Sequence, residues 1–307
     1  MSFLKDQSIW LNIDKPIGYS SAKVVAIVKK ITGAAKVGHA GTLDPFADGL
    51  LPIALNKATK TCQYITDAHK KYSFRITWGE FRDTDDVEGV VTDTSAARPQ
   101  TADIISALPF LIGKIKQVPS RFSAIRINGE KAYNLARQQV DFEMKEREVE
   151  IFSAKLISNS AQFSELEICC SKGTYVRSFA RDLCKRMAVC GYVSKLTRLQ
   201  VGKFIYDSRI SLAKLKTVAN YGDRFIDGSM LSLHDVLDFM IEIELSDIDA
   251  SKFKNGQIIA INYLSLDHAP LEQRVSSTAR VINNNELIGL GKFAENLLTP
   301  INVFKSI

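Results

Sequence analysis

The stretch Gly38–Leu51, GHAGTLDPFADGLL, sets one histidine, two aspartates, three glycines and a proline close together. So many glycines do not suit a helix interior, and so polar a segment does not suit a buried strand. The composition describes a purpose-built loop carrying carboxylates. A loop carboxylate can act as a nucleophile or a general base. Asp44 precedes Pro45 and Asp48 precedes Gly49, so either could instead close an Asx turn on its own backbone. His39 could be a structural donor as readily as a catalyst. On its own, the loop does not choose among them.

Other chemistries find little support. The four histidines are scattered, and the acidic run DTDDVEG (Asp83–Gly89) lacks the ligand spacing of a calcium loop. No metal site is expected. There is no dinucleotide fingerprint and no P-loop, so no cofactor is expected either. Five cysteines without a CxxC pair read as reduced thiols. The N-terminus has no apolar signal region, and no apolar run reaches bilayer length. The expectation is a cytoplasmic protein with no membrane partner.

Net charge is only +6, so nucleic-acid binding must be argued from clustering. Between Ser171 and Lys203 eight basic residues face one acid, Asp182. Between Phe110 and Val140 six face Glu130. Arg177, Arg181 and Lys185 are spaced by four, along one helix face. Such windows are often solvated surface. The interleaved Phe122, Tyr133, Tyr175 and Tyr192 make phosphate contacts with base stacking an equal reading.

These residues need a scaffold. SIWLNIDKP reads as an opening strand, and SSAKVVAIVKKITG as a helix capped by Ser20 or Ser21 and stopped by Gly33. After the loop come a strand (LLPIAL), a helix (KATKTCQYITDAH) and an alternating strand (KKYSFRITWGE). Residues 92–103 read as a polar linker. ADIISALPFLIG is a helix interrupted at Pro109, QVPSRFSAIRING a turn then strand, and EKAYNLARQQ a helix. REVEIFSAKLIS and FSELEICCS form a strand pair, followed by a helix to Gly191 and the strand YVSKLTRLQVGKF. The order implies an α+β fold with a mixed, largely antiparallel sheet and flanking helices. Residues 1–245 make the main domain. Residues 246–307 make a small β-rich one of short strands, with a hairpin at NNNEL.

The blocks DKPIGYSS, GHAGTLDPFADGLLPIALNKATK, KKYSFRITWGEFRDTDDVEG, QVPSRFSAIRINGEKAYNLAR, CSKGTYVRSFARDL and LTRLQVGKF resemble, in order, the motifs of tRNA pseudouridine-55 synthases, the TruB family. The resemblance is firm from residue 12 to about residue 204 and weak in the tail. Two positions depart from the pattern: Arg126 stands where the family has Lys, and Arg82 where it has Thr. The resemblance implies isomerisation of uridine to pseudouridine at position 55 in the T loop of tRNA, after flipping of the base. It makes Asp44 the nucleophile or base and Arg177 its guanidinium partner. Tyr72 stacks on the base and helps remove the C5 proton. Leu199 walls the pocket, and His39 holds the extruded nucleotide. Lys15, with Pro16, supports the loop. Lys172 and Arg126 contact RNA. The partner implied is the tRNA T-arm stem-loop, bound by a monomer without an obligatory protein partner. The tail becomes a PUA-like RNA-binding domain with Lys252, Lys254, Arg274, Arg280 and Lys292 as basic contacts. An RNA-folding helper and a guide-RNA-dependent enzyme share much of this motif set and are the competing readings.

Overall fold

The computed structural model describes residues 4–221, 228–261 and 276–304. Eight main strands build the body: β1 (Trp10–Lys15), β2 (Val37–His39), β3 (Asp48–Leu55), β4 (Lys70–Trp78), β5 (Gly113–Gln117), β6 (Arg147–Asn159), β7 (Phe163–Cys170) and β8 (Gly191–Val201). Their path through the sheet is β1-β3-β8-β4-β7-β6-β5, with β2 on β3 and the short strand Ile210–Ser211 parallel to β1. The β3/β8 pair is parallel, whereas the other pairs along that path are antiparallel. The expected mixed, largely antiparallel sheet is what forms.

Periodicity explains the packing. Along β4, Lys70, Tyr72, Phe74, Ile76 and Trp78 are buried, and the residues between them are less so. This face packs with Phe179, Leu183 and Cys184 of helix α2 (Val176–Arg186). On the other flank Val24 and Val28 of helix α1 (Ser21–Thr32) cover Leu11, Ile13, Leu51 and Ile53. The Ser20 side chain accepts from the Lys23 amide at 3.2 Å to start α1, and Gly33 ends it at φ 71°. Helix α2 stops at Arg186, earlier than expected. Gly191 opens β8 instead, where a Cβ would press within 2.8 Å of Ile76 and Trp78. The expected KATKTCQYITDAH helix begins as a 3-10 turn, Asn56–Thr61, before regular helix over Cys62–Asp67.

A second sheet is formed by Ile241–Glu244, Ser276–Asn283, Glu286–Ala294, Leu297–Val303 and Ile259–Ala260. It takes in Ile241–Glu244, ahead of the expected start at residue 246. The NNNEL hairpin forms, with Asn284 and Asn285 at φ 52° and 62°. The expectation of strands just after residue 245 is corrected: Asp247–Lys254 is a helix. Ser246 caps it at 3.2 Å, acids fill its first turn and lysines its last, and Ala250 and Phe253 face the core. Leu290 and Phe304 of this unit join Trp10, Leu50 and Phe204 in one apolar cluster. Of the basic tail residues, Arg274 lies outside the described residues. Among the described residues no helix is long and apolar enough to cross a membrane.

Candidate active site

The GHAGTLDPFADGLL loop joins β2 to β3. His39 pairs with Ile53 at the end of β2, and the chain returns at Asp48. The bend itself is a turn in which the Ala47 amide donates to the Asp44 carbonyl at 3.2 Å, with Pro45 at its second position. Neighbouring elements hold this turn by its backbone. The Ser21 hydroxyl donates to the Leu43 carbonyl at 3.1 Å and accepts from its amide at 2.9 Å. The Gly18 amide donates to the Pro45 carbonyl at 2.8 Å. Lys15, fully buried, donates its ammonium to the carbonyls of Tyr19, Pro16 and Pro45. Burial draws Lys15 down to about 8, against the opposing pull of Asp44 and Asp48. Gly49 is obligatory: it sits at φ 96°, and a Cβ there would come within 2.4 Å of the Arg198 carbonyl.

Both Asp44 oxygens reach the guanidinium of Arg177, at 3.0 Å to Nε and 3.1 Å to Nη2. Arg177 stands in the first turn of α2, and its side chain is 3% exposed. Its Nη1 donates to Asp86 at 2.9 Å and to the Thr84 carbonyl at 3.0 Å, and Nη2 also donates to the Phe122 carbonyl at 3.1 Å. All five guanidinium donors are therefore used. Burial works against this charge, but Asp44, Asp86 and Asp85 outweigh it and raise the Arg177 pKa. Burial pushes Asp86 upward, opposed by Arg177, the Thr84 hydroxyl and the Glu88 amide. Both residues border one cavity, where a third of the Asp44 side chain, 32%, stays open while Arg177 is almost wholly covered.

That cavity, about 320 Å³, lies at the small end of ligand sites. Tyr72, Leu196, Arg198, Tyr175 and Lys70 line it together with Asp44. Burial raises the Tyr72 phenol, opposed by the charge and a hydrogen bond of Arg198, and its ring offers a face for stacking. Burial also holds Lys70 down at about 8, and its ammonium donates to the carbonyls of Thr66 and Ala68.

Several expected site residues fall elsewhere. Leu199 does not line the cavity; Leu196 does. Strand pleating explains the correction: Leu196 and Arg198 share a face opposite Phe74 and Tyr72, and a bulge follows at Leu199. His39 is also outside the lining, with Nδ1 buried and unpaired among the described residues. Burial, then Arg198, pulls its pKa below the ordinary value. Lys172 is exposed and pairs with Asp67 at 2.9 Å. Arg126 is exposed on a two-residue strand and donates to the Gly129 carbonyl, next to the cavity residue Ile125. Two of the three basic residues on the α2 face are not free for phosphate: Arg177 is spent on Asp44 and Asp86, and Arg181 on Asp85 at 2.9 Å, which leaves Lys185 exposed. Sequence reasoning gave no role to Asp86 or Arg198. The crowded DTDD run was a signal for the first; for Arg198 there was none beyond basic charge.

The fold recurs in solved structures. A chain of an H/ACA RNP bound to a substrate RNA containing 2'-deoxyuridine superposes with a TM-score of 0.73 at 19% identity, over 97% of this chain and 85% of that one. A chain of a Cbf5-Nop10-Gar1 complex gives 0.73 at 20% identity, over 98% and 85%. The chain thus shares its architecture with both. Residues 29–176 match the model of the TruB family pseudouridylate synthase N-terminal domain. The tRNA pseudouridine synthase B of Ehrlichia ruminantium (strain Gardel) is 41% identical over 299 residues, 96% of this chain and 98% of that protein. The enzyme of the same name from Caulobacter vibrioides is 39% identical over 302 residues, 96% of each chain. This chain belongs to the TruB family of pseudouridylate synthases.

Proposed function

We propose that the protein isomerises uridine to pseudouridine at position 55 in the T loop of tRNA, with Asp44 as the nucleophile or base. One observation carries this reading: the partly open Asp44 carboxylate is gripped through both oxygens by a buried Arg177 and faces a cavity that also holds Tyr72. A guanidinium with every donor occupied cannot swing away, so the carboxylate is held in one orientation before substrate arrives. The reaction breaks the N1–C1′ bond, turns the base and joins C5 to C1′. The cavity is sized for one flipped base, and Tyr72 offers it a stacking face. The curated relatives that match 96% of this chain carry the name tRNA pseudouridine synthase B, which supports tRNA as substrate.

The test uses an unmodified T-arm stem-loop and the purified single chain. Wild type should form pseudouridine at position 55, whereas Asp44→Asn and Asp44→Ala should form none while still binding the RNA. Turnover by either variant would defeat the assignment of Asp44. Activity that needed a guide RNA would defeat the choice of substrate.

A further inference from the structure

Two arginines reach the cavity, and they differ in one respect. Arg177 carries two carboxylates. Arg198 is 1% exposed and makes no ion pair with a carboxylate among the described residues. It is held by carbonyls alone, donating from Nε to Leu50 at 2.9 Å and from Nη2 to Gly41 at 3.2 Å. A buried cation without a counter-ion is costly unless something compensates it. In an active site, such a charge is preorganised for an anion that exists only during the reaction.

Position indicates which anion. Arg198 on β8 lies directly across the antiparallel ladder from Tyr72 on β4, and both side chains line the cavity. We infer that Arg198 is a positioning residue that acts through Tyr72, stabilising the Tyr72 phenolate as acceptor of the uridine C5 proton. This inference rests on the proposed isomerisation. Arg198 opposes the effect of burial on the phenol, both through its charge and by hydrogen bonding, which agrees with the placement.

The step balances. Once the base has rejoined the ribose through C5, that carbon bears both its hydrogen and the new C5–C1′ bond. The C5–H bond breaks, and its electron pair closes the C5–C6 double bond. The C6–N1 π pair moves onto N1, which takes up a proton. The phenolate oxygen receives the C5 proton and later releases it to solvent. One proton leaves the base and one arrives, with no oxidant or reductant. The fork of the Arg198 guanidinium leaves donors for the phenolate while Nε and Nη2 keep their two carbonyls, a geometry that lysine does not reproduce.

The experiment compares wild type, Arg198→Lys, Tyr72→Phe and the double variant on T-arm stem-loops under single-turnover conditions. The stem-loops carry uridine, [5-²H]uridine or 5-fluorouridine at the target. With uridine, Arg198→Lys should lose about 10²-fold in rate, with RNA affinity unchanged. Its deuterium isotope effect should rise above the wild-type value, because C5 proton removal becomes limiting. 5-Fluorouridine has no C5 proton, so its consumption should proceed at the wild-type rate. The double variant should be no slower than Tyr72→Phe. Equal losses on uridine and 5-fluorouridine would assign Arg198 to general packing or to the detached base, and would overturn the inference. So would an unchanged isotope effect or additive losses. Absence of wild-type product would instead overturn the functional reading itself. Arg198→Lys keeps the charge and the aliphatic stem, and its melting curve shows that the variant is folded.

Discussion

Asp86 offers the sharpest test of the buried network. It lies outside the cavity, yet it anchors one end of the guanidinium that orients Asp44. In Asp86→Asn the shape is kept and the charge lost. The Thr84 hydroxyl and the Glu88 amide both donate to Oδ1, at 2.6 and 2.9 Å, so the new amide nitrogen must take the Oδ2 position. There it meets Arg177 Nη1 donor to donor, where the native contact is 2.9 Å. Both native side chains are 3% exposed, so water does not repair the loss. Removing one partner of such a pair costs about 3–5 kcal/mol. For a domain of this size that lowers Tm by roughly 6–20 °C. A recoil of Arg177 by about 1 Å would carry Asp44 with it and cost about 10²-fold in rate. Circular dichroism melting and single-turnover kinetics on a T-arm stem-loop read the two effects separately. Asp83→Asn is the control, because Asp83 is exposed and its contact to the Val90 amide survives the change. An Asp86→Asn protein that melts and reacts like that control would refute the reasoning.

Three further outcomes follow from the same geometry. Gly49→Ala combines a φ of 96° with a 2.4 Å approach to the Arg198 carbonyl, so it should cost more than the roughly 1–3 kcal/mol of left-handed strain alone, read as lost soluble yield or a large fall in Tm. Ser21→Ala removes both hydrogen bonds to Leu43 and should cost about 1–3 kcal/mol, with a fall in kcat at saturating RNA. Asp85 provides a pH test, since burial lifts it from 3.8 to about 6 despite Arg181. Folding then favours the protonated form: this stability is complete below pH 3.8 and lost as the pH rises through 6. Moving from about pH 7.5 to about pH 5 should stabilise wild type by about 1 kcal/mol relative to Asp85→Asn, measured by urea unfolding, and equal slopes would count against it.

What could be read from the residues was mainly local. Helix α1 carried its own cap and its own left-handed stop, and β4 carried its alternation. The second unit hid a helix because Asp247–Lys254 buries few residues and looks polar in one dimension. Within the site, the resemblance named Asp44, Tyr72 and Arg177, which border one cavity, and Leu199, which does not. Only the pleat and register of β8 against β4 select Leu196. Asp86 and Arg177 are far apart in the chain, and nothing local tells an arginine that it will be buried between two carboxylates. Arg198 escaped for the same reason: its partners are backbone carbonyls, which every residue possesses.

The grip on the Asp44 turn has a consequence for sequence drift. The holding contacts from Ser21, Gly18 and Lys15 fall on main-chain atoms of Leu43 and Pro45, not on their side chains. The side chain of Thr42 borders the cavity without holding the turn through any of these contacts. Substitutions there can reshape the rim of the cavity while the Asp44 carboxylate stays in place, which makes this position a natural start for altering which RNAs the enzyme accepts.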